Sequence, residues 1–143
     1  MDDDLRSFGE SLITTAARIV RWTPKDEDFE ISIAAARLLA RLNDDGPTRI
    51  SDLAVAERCS QPTITNHIKR LEAAGYVERK ADPSDARAWM IALTVRGHAQ
   101  LSLMRDSLGT SVEPFLARMT RRDLKALRDG VEAMRRLMAL ENS

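Results

Sequence analysis

The sequence predicts a mainly α-helical fold carrying one small β-hairpin, and three observations carry that expectation. Apolar residues recur at spacings of three and four along most of the chain, the period of an amphipathic helix. Two short helical segments meet around Arg58-Cys59-Ser60, with room between them only for a tight turn. A single pair of strand-like runs, Tyr76-Val77-Glu78-Arg79-Lys80 and Trp89-Met90-Ile91-Ala92-Leu93, brackets the turn-forming stretch Ala81-Asp82-Pro83-Ser84-Asp85-Ala86. The 143 residues suit one domain with a hydrophobic core. An aromatic content of 4% leaves Leu, Ala and Met, all good helix formers, to supply most of the apolar mass.

Residues 5–22 put Leu5, Phe8, Leu12, Ala16 and Ile19 on one stripe of a first helix, which Pro24 and Asp26-Glu27-Asp28 are expected to break. Ile33, Ala36, Leu39 and Leu42 continue the pattern in a second helix that ends near Asn43-Asp44-Asp45-Gly46-Pro47. Ser51 is placed to cap a third, short helix, with Ile50 and Val55 as a hydrophobic staple and Leu53, Ala54 and Val55 facing inward. Ser60 caps the fourth, Pro62 fits its first turn, Cys59 and Ile64 occupy the staple positions, and Gly75 is placed to end it. After the hairpin, Thr94 can cap a long helix bearing Leu101, Met104, Leu108, Val112, Phe115 and Met119, with Gly109 and Pro114 as weak points. Thr120 opens the last helix, where Leu124, Leu127, Val131, Met134 and Met138 make a heptad-like seam. Two short helices joined by a tight turn and followed by a hairpin form the winged helix-turn-helix layout.

The helix over 60–74 carries the functional expectation. On a helical wheel Ile64, Ile68 and Leu71 share a narrow inward arc. Pro62, Thr63, Asn66, Lys69, Arg70 and Ala73 lie opposite, with Thr65 beside them. A small, polar or basic outward face suits a DNA major groove, where bulk blocks approach and hydrogen-bond donors read base edges. Ser60, Gln61, Thr63, Thr65 and Asn66 lie toward the end that usually meets bases, and Gln or Asn can hold adenine through two hydrogen bonds. Lys69 and Arg70, one turn later, suit phosphates or a guanine. The plainer alternative is a solvated helix face, and the neighbouring short helix and basic hairpin weigh against it.

The hairpin adds Arg79 and Lys80 on its first strand and Asp82, Asp85 and Arg87 near its tip. An arginine on a slim tip suits the negative potential of a minor groove. Asp85 would serve by pairing with Arg87 and aiming it, although an ordinary surface ion pair of little energetic weight fits the spacing equally well. The formal net charge is zero, but residues 58–100 carry seven Lys and Arg against four Asp and Glu, so the expected reading region is locally basic.

Taken together, Leu71-Glu72-Ala73-Ala74-Gly75-Tyr76-Val77-Glu78-Arg79, Asp85-Ala86-Arg87 and Leu93-Thr94-Val95-Arg96-Gly97 resemble, in order and spacing, the motifs of the multiple antibiotic resistance regulator (MarR) family. The resemblance extends over nearly the whole chain. It implies a single domain over 1–143, with 48–97 as the winged helix-turn-helix region and 5–43 and 98–140 as dimerisation helices. It implies a homodimer on a pseudo-palindromic duplex, acting as a repressor and relieved by a small aromatic or phenolic effector. The cleft that holds such effectors in the family would here be lined by Phe8, Leu12, Arg18, Trp22 and Arg37. The apolar terminal stripes fit a partner surface, which a second copy supplies most simply.

Other chemistries find little support. The single cysteine, Cys59, excludes an intrachain disulfide and a cysteine zinc cluster. Its staple position predicts a small buried hydrophobe, whereas its place beside a helix N-terminus would suit a redox-responsive regulator. His67 and His98 have no metal-ligand spacing, and no Walker loop, nucleophile elbow or dinucleotide fingerprint is present, so neither enzyme activity nor a cofactor is expected. No apolar run is long enough to span a bilayer, and the start MDDDLRS lacks a secretion pattern, so a cytoplasmic location is expected. A winged-helix protein-interaction module is the alternative function, but it calls for an apolar or acidic outward face in place of Gln61, Asn66, Lys69 and Arg70. A fragment of an enzyme, such as a methyltransferase dimerisation domain, would require a catalytic domain that is not present in the sequence.

Overall fold

The structure is a computed structural model and describes residues 2–23 and 31–142. The elements run α1 (Asp2–Trp22), α2 (Ile33–Asp45), β1 (Thr48–Arg49), α3 (Ile50–Ala56), α4 (Gln61–Ala73), β2 (Val77–Asp82), β3 (Asp85–Leu93), α5 (Val95–Leu116) and α6 (Arg121–Ala139), with a closing 3-10 turn at Leu140–Asn142. The expected helix break at Pro24 and Asp26-Glu27-Asp28 falls outside the described residues. Two compact units emerge, one of Asp26–Ser107 and one of Met1–Lys25 with Leu108–Ser143.

The first of these units holds the winged helix. Its core joins Leu38, Leu39 and Leu42 of α2, Leu53 of α3, Ile64, Ile68 and Leu71 of α4, and Val77 and Ile91 of the sheet. Burying a side chain of this size contributes about 1.5–3 kcal/mol. Three such anchors on one stripe of α4 fix its rotation and turn its opposite face to solvent. The α2 helix, which periodicity alone groups with α1, packs within this unit.

The sheet has three antiparallel strands in the order β1-β3-β2. β1 is the addition to the expected hairpin: Thr48 pairs with Ile91 and Arg49 with Met90. Two residues are too few to display a strand period, so nothing local in the sequence announces them. The hairpin strands also extend further than expected, leaving Pro83-Ser84 as the turn between Asp82 and Asp85.

β1 also moves the start of α3. Arg49 is held extended (φ −68°, ψ 149°) and precedes the helix without a side-chain cap bond, so Ser51 falls inside the first turn and does not cap it. The expected staple fails as well. Ile50 packs against the core, but Val55 is 78% exposed because Leu53 and Ala54 define the inward face. Cys59, expected to be buried, is exposed. Arg58 takes a left-handed conformation (φ 52°), Arg58 N–H donates to Val55 O, and Cys59 N–H donates to Ala54 O at 3.1 Å. This is the Schellman closure of a helix, here with Arg where glycine is usual. The same closure ends α4 with Gly75 at φ 81°, Tyr76 N–H reaching Leu71 O at 2.9 Å.

The second unit contains α1, the later part of α5 and α6. α5 runs without interruption through Gly109, with Pro114 inside its last turn. Thr120 caps α6, its hydroxyl accepting from Asp123 N–H at 3.1 Å. Trp22 and Phe115 meet edge to face, with ring centroids 5.0 Å apart. No described residue of α6 is buried, even though its apolar positions form a sharply defined stripe.

Candidate nucleic-acid interface

The start of α4 is set by Ser60, whose side chain accepts from Thr63 N–H at 3.3 Å and lies 2.8 Å from the Thr63 hydroxyl. Ser60 therefore works as a helix cap, and Thr63 is turned back toward it. Gln61, Pro62, Asn66, Lys69 and Arg70 are exposed, and Thr65 is half-buried at the edge of the same face. Neither Lys69 nor Arg70 has a carboxylate partner among the described residues. A rigid helix thus offers two amide side chains near its N-terminal end and two unpaired cations a turn later.

Arg79 is engaged within the fold. Its Nε donates to Glu72 at 3.2 Å, tying β2 to α4. Arg87 is exposed at the hairpin tip, and no carboxylate pairs with its guanidinium among the described residues. Asp85 does not pair with that guanidinium. Its Oδ1 accepts the backbone N–H of Arg87 at 3.0 Å, so it fixes the arginine's backbone and leaves its charge unspent.

The Leu-Thr-x-x-Gly step has a clear physical reason. Thr94 Oγ1 donates to Gly75 O at 2.5 Å and accepts from Gly97 N–H at 3.0 Å, while Thr94 N–H donates to Tyr76 O. A Cβ on Gly97 would lie 2.0 Å from Tyr76 O, a distance no side chain can occupy. One threonine and one glycine thus join the end of α4 to the start of α5.

The sequence model of the MarR family matches residues 31–89, the stretch from just before α2 into β3. The HTH-type transcriptional regulator YdgJ of Bacillus subtilis is 27% identical over 105 residues, 73% of this chain and 64% of its own length. The HTH-type transcriptional repressor NicR of Pseudomonas putida is 36% identical over 66 residues, 46% of this chain and 42% of its own length. This chain therefore matches less than two thirds of either relative. The crystal structure of transcriptional regulator Tm0710 from Thermotoga maritima shares the fold, with a TM-score of 0.67 at 24% identity over 98% of this chain and 94% of that one. Residues 31–89 thus match the MarR family, and the chain shares the fold of MarR from E. coli, with a TM-score of 0.60 at 20% identity over 73% of this chain and 78% of that one.

The residues named for an effector cleft divide between the two units. Phe8, Leu12, Arg18 and Trp22 lie on α1, with Leu12 half-buried and the others exposed. Arg37 lies on α2 and pairs with Glu57 at 3.3 Å. Arg41 holds the same carboxylate at 2.7 Å, an interaction that raises its own pKa, and together they tie the end of α3 to α2. A groove of about 730 Å³ runs along α5 and α6, floored by Leu116, Leu124, Leu127 and Val131, and none of the five named residues lines it. Among the described residues no group of His, Cys, Asp and Glu could hold a metal ion, and no helix is long and apolar enough to cross a membrane.

Asp82 was expected near the wing tip and Ser84 in its turn, both without a role, and Arg49 was not expected there. Asp82 Oδ1 accepts from Ser84 N–H at 2.9 Å and from the Ser84 hydroxyl at 2.8 Å. Its Oδ2 accepts from Arg49 Nε at 2.7 Å and also contacts Arg49 Nη2. The Asp-Pro-Ser order does signal an Asx turn. Nothing local signals Arg49, which is 33 positions away.

Proposed function

We propose that this protein is a homodimeric, sequence-specific DNA-binding transcription regulator that represses by occupying a pseudo-palindromic operator. The observation that carries the reading is the outward face of α4, where Gln61, Asn66, Lys69 and Arg70 are exposed on a helix anchored by Ile64, Ile68 and Leu71. Such a face fits a major groove, with the amides reading bases and the cations meeting phosphates. Arg87, exposed at the wing, is suited to the adjacent minor groove. The relative named as a repressor supports repression over activation.

The dimer reading rests on α6. Leu127, Val131, Met134 and Met138 lie exposed along one stripe of α6, and Leu5, Phe8 and Ile19 are exposed on α1. Exposed apolar stripes of this kind call for a partner, and a second copy forms the simplest closed assembly. A small aromatic or phenolic effector would relieve repression by changing the spacing of the two reading helices. Phe8, Leu12, Arg18 and Trp22 of α1 are the side chains proposed to meet it.

The exposure of Cys59 favours a second mode of control, in which oxidation at the turn before α4 disturbs docking. Thiol-specific oxidants should then weaken DNA binding of the wild type and spare Cys59→Ser. Binding to duplex at two salt concentrations tests the main reading. Arg87→Ala should weaken binding across sequences, and Asn66→Ala or Gln61→Ala should change the preferred sequence. Unchanged affinity of Arg87→Ala in moderate salt would remove the wing from the interface.

A further inference from the structure

Asp82 occupies an unusual position. It ends β2 at the wing turn, where a carboxylate would ordinarily be solvated, yet its side chain is only 6% exposed. Four donor contacts converge on it and engage both oxygens: the amide and hydroxyl of Ser84 on Oδ1, and Nε and Nη2 of Arg49 on Oδ2. Arg49 Nη2 also lies 3.5 Å from the Ser84 hydroxyl. Arg49 is the last residue of β1, paired with Met90 of β3, and it immediately precedes α3. The cluster therefore joins the wing turn to the point where the helix-turn-helix begins.

The other side of the turn leads to Arg87. Asp82 pairs with Asp85 across the strand ends, at an irregularity in the ladder between Ala81 and Asp82. Asp85 in turn fixes the backbone N–H of Arg87. A short chain of fixed contacts thus runs from Arg49 through Asp82 and the turn to Asp85 and Arg87. A two-stranded tip on its own is weakly ordered, because few contacts compensate the entropy of holding it still.

We propose that Arg49 and Asp82 are positioning residues for the wing, clamping the Pro83-Ser84 turn against β1 so that Arg87 meets DNA at a fixed angle to α4. The proposal deepens the DNA-binding reading and rests on it. Arg49 does not itself contact DNA in this account, because its guanidinium is engaged by Asp82. Without the clamp the wing must be ordered anew on each binding event, which weakens affinity by about tenfold.

The test uses full-length protein and four forms: wild type, Arg49→Gln, Arg87→Ala and the double variant. Backbone amide exchange across residues 83–88, measured without DNA, reads the clamp directly. Arg49→Gln should speed exchange there while leaving α4 amides protected, and Arg49→Lys should restore part of the protection. Duplex affinity then forms a double-mutant cycle. Arg49→Gln should lose about tenfold in the wild-type background and little in the Arg87→Ala background. Equal losses in both backgrounds would overturn positioning and make Arg49 an independent contact. Unchanged exchange at 83–88 would overturn the clamp. Failure of the wild type to bind duplex at low salt would overturn the DNA-binding reading, and amide exchange would still decide whether the clamp exists.

Discussion

Thr94, Gly97 and Asp82 are the residues whose individual chemistry most constrains this protein. Gly97→Ala would force a methyl group to within 2.0 Å of the Tyr76 carbonyl, so the first turn of α5 must shift and the Thr94 bonds to Gly75 and Gly97 must loosen. Overpacking against backbone costs about 1–3 kcal/mol, which urea denaturation should report as a lowered midpoint at unchanged slope. Arg58→Gly should act in the opposite direction, because a left-handed residue with a side chain carries about 1 kcal/mol of strain that glycine lacks. Asp82 makes stability depend on pH. The Ser84 amide and hydroxyl, then Arg49, hold its carboxyl below the ordinary carboxylate range. Its contribution is therefore complete above the unfolded value of about 4 and is lost as pH falls from there through the lower folded value. Denaturation midpoints taken between pH 6 and pH 3 should fall more steeply for the wild type than for Asp82→Asn, and parallel curves would remove Asp82 from the account. At this scale the sequence was legible where a residue acts on near neighbours, as with Ser60, Gly75, Thr94 and Thr120. It was misleading at Cys59 and Val55, whose outward placement follows from how the short α3 helix begins and closes.

Among the elements, α4 matters most because it combines a strong local start with three deep anchors. Ser60→Ala should cost about 1 kcal/mol through the lost cap, and Ile68→Ala about 2–5 kcal/mol through the cavity it leaves. Both losses should appear in thermal or urea unfolding, and for Ser60→Ala duplex affinity measured well below the unfolding temperature should change little. A large affinity loss in Ser60→Ala with stability intact would instead mark its hydroxyl as a direct DNA contact. The long helices were readable from period alone, since every apolar stripe of three or more turns recurs as a helix. β1 was not readable, because two residues carry no period and their pairing partners lie more than forty positions away. The shift of α3 to Ile50 follows from that same strand. Asp85 shows a subtler limit: its spacing to Arg87 was visible, but only the folded turn shows that it accepts a backbone N–H in place of the guanidinium.

For the whole molecule, the unsatisfied feature is the apolar stripe of α6, where Val131 remains 41% exposed and Leu127 44%. In the proposed homodimer these residues become buried, so Val131→Glu with Leu127→Glu should convert the protein to monomer at micromolar concentration, as sedimentation would show. A wild type that sediments as a monomer would contradict the dimer. The family resemblance was legible in the sequence because its motifs occupy a contiguous region, residues 71–97, where short-range spacing is preserved. The effector residues were less legible, since they come from helices in separate units and no local pattern joins Arg37 to α1. Selection of bound fragments from a random duplex pool by the purified protein, at low and moderate salt, decides whether it reads DNA sequence as a dimer. The expected product is an inverted repeat with half-sites about 10 base pairs apart, bound with an affinity that falls steeply with salt. Recovery of no preferred sequence at either salt concentration would contradict sequence-specific binding.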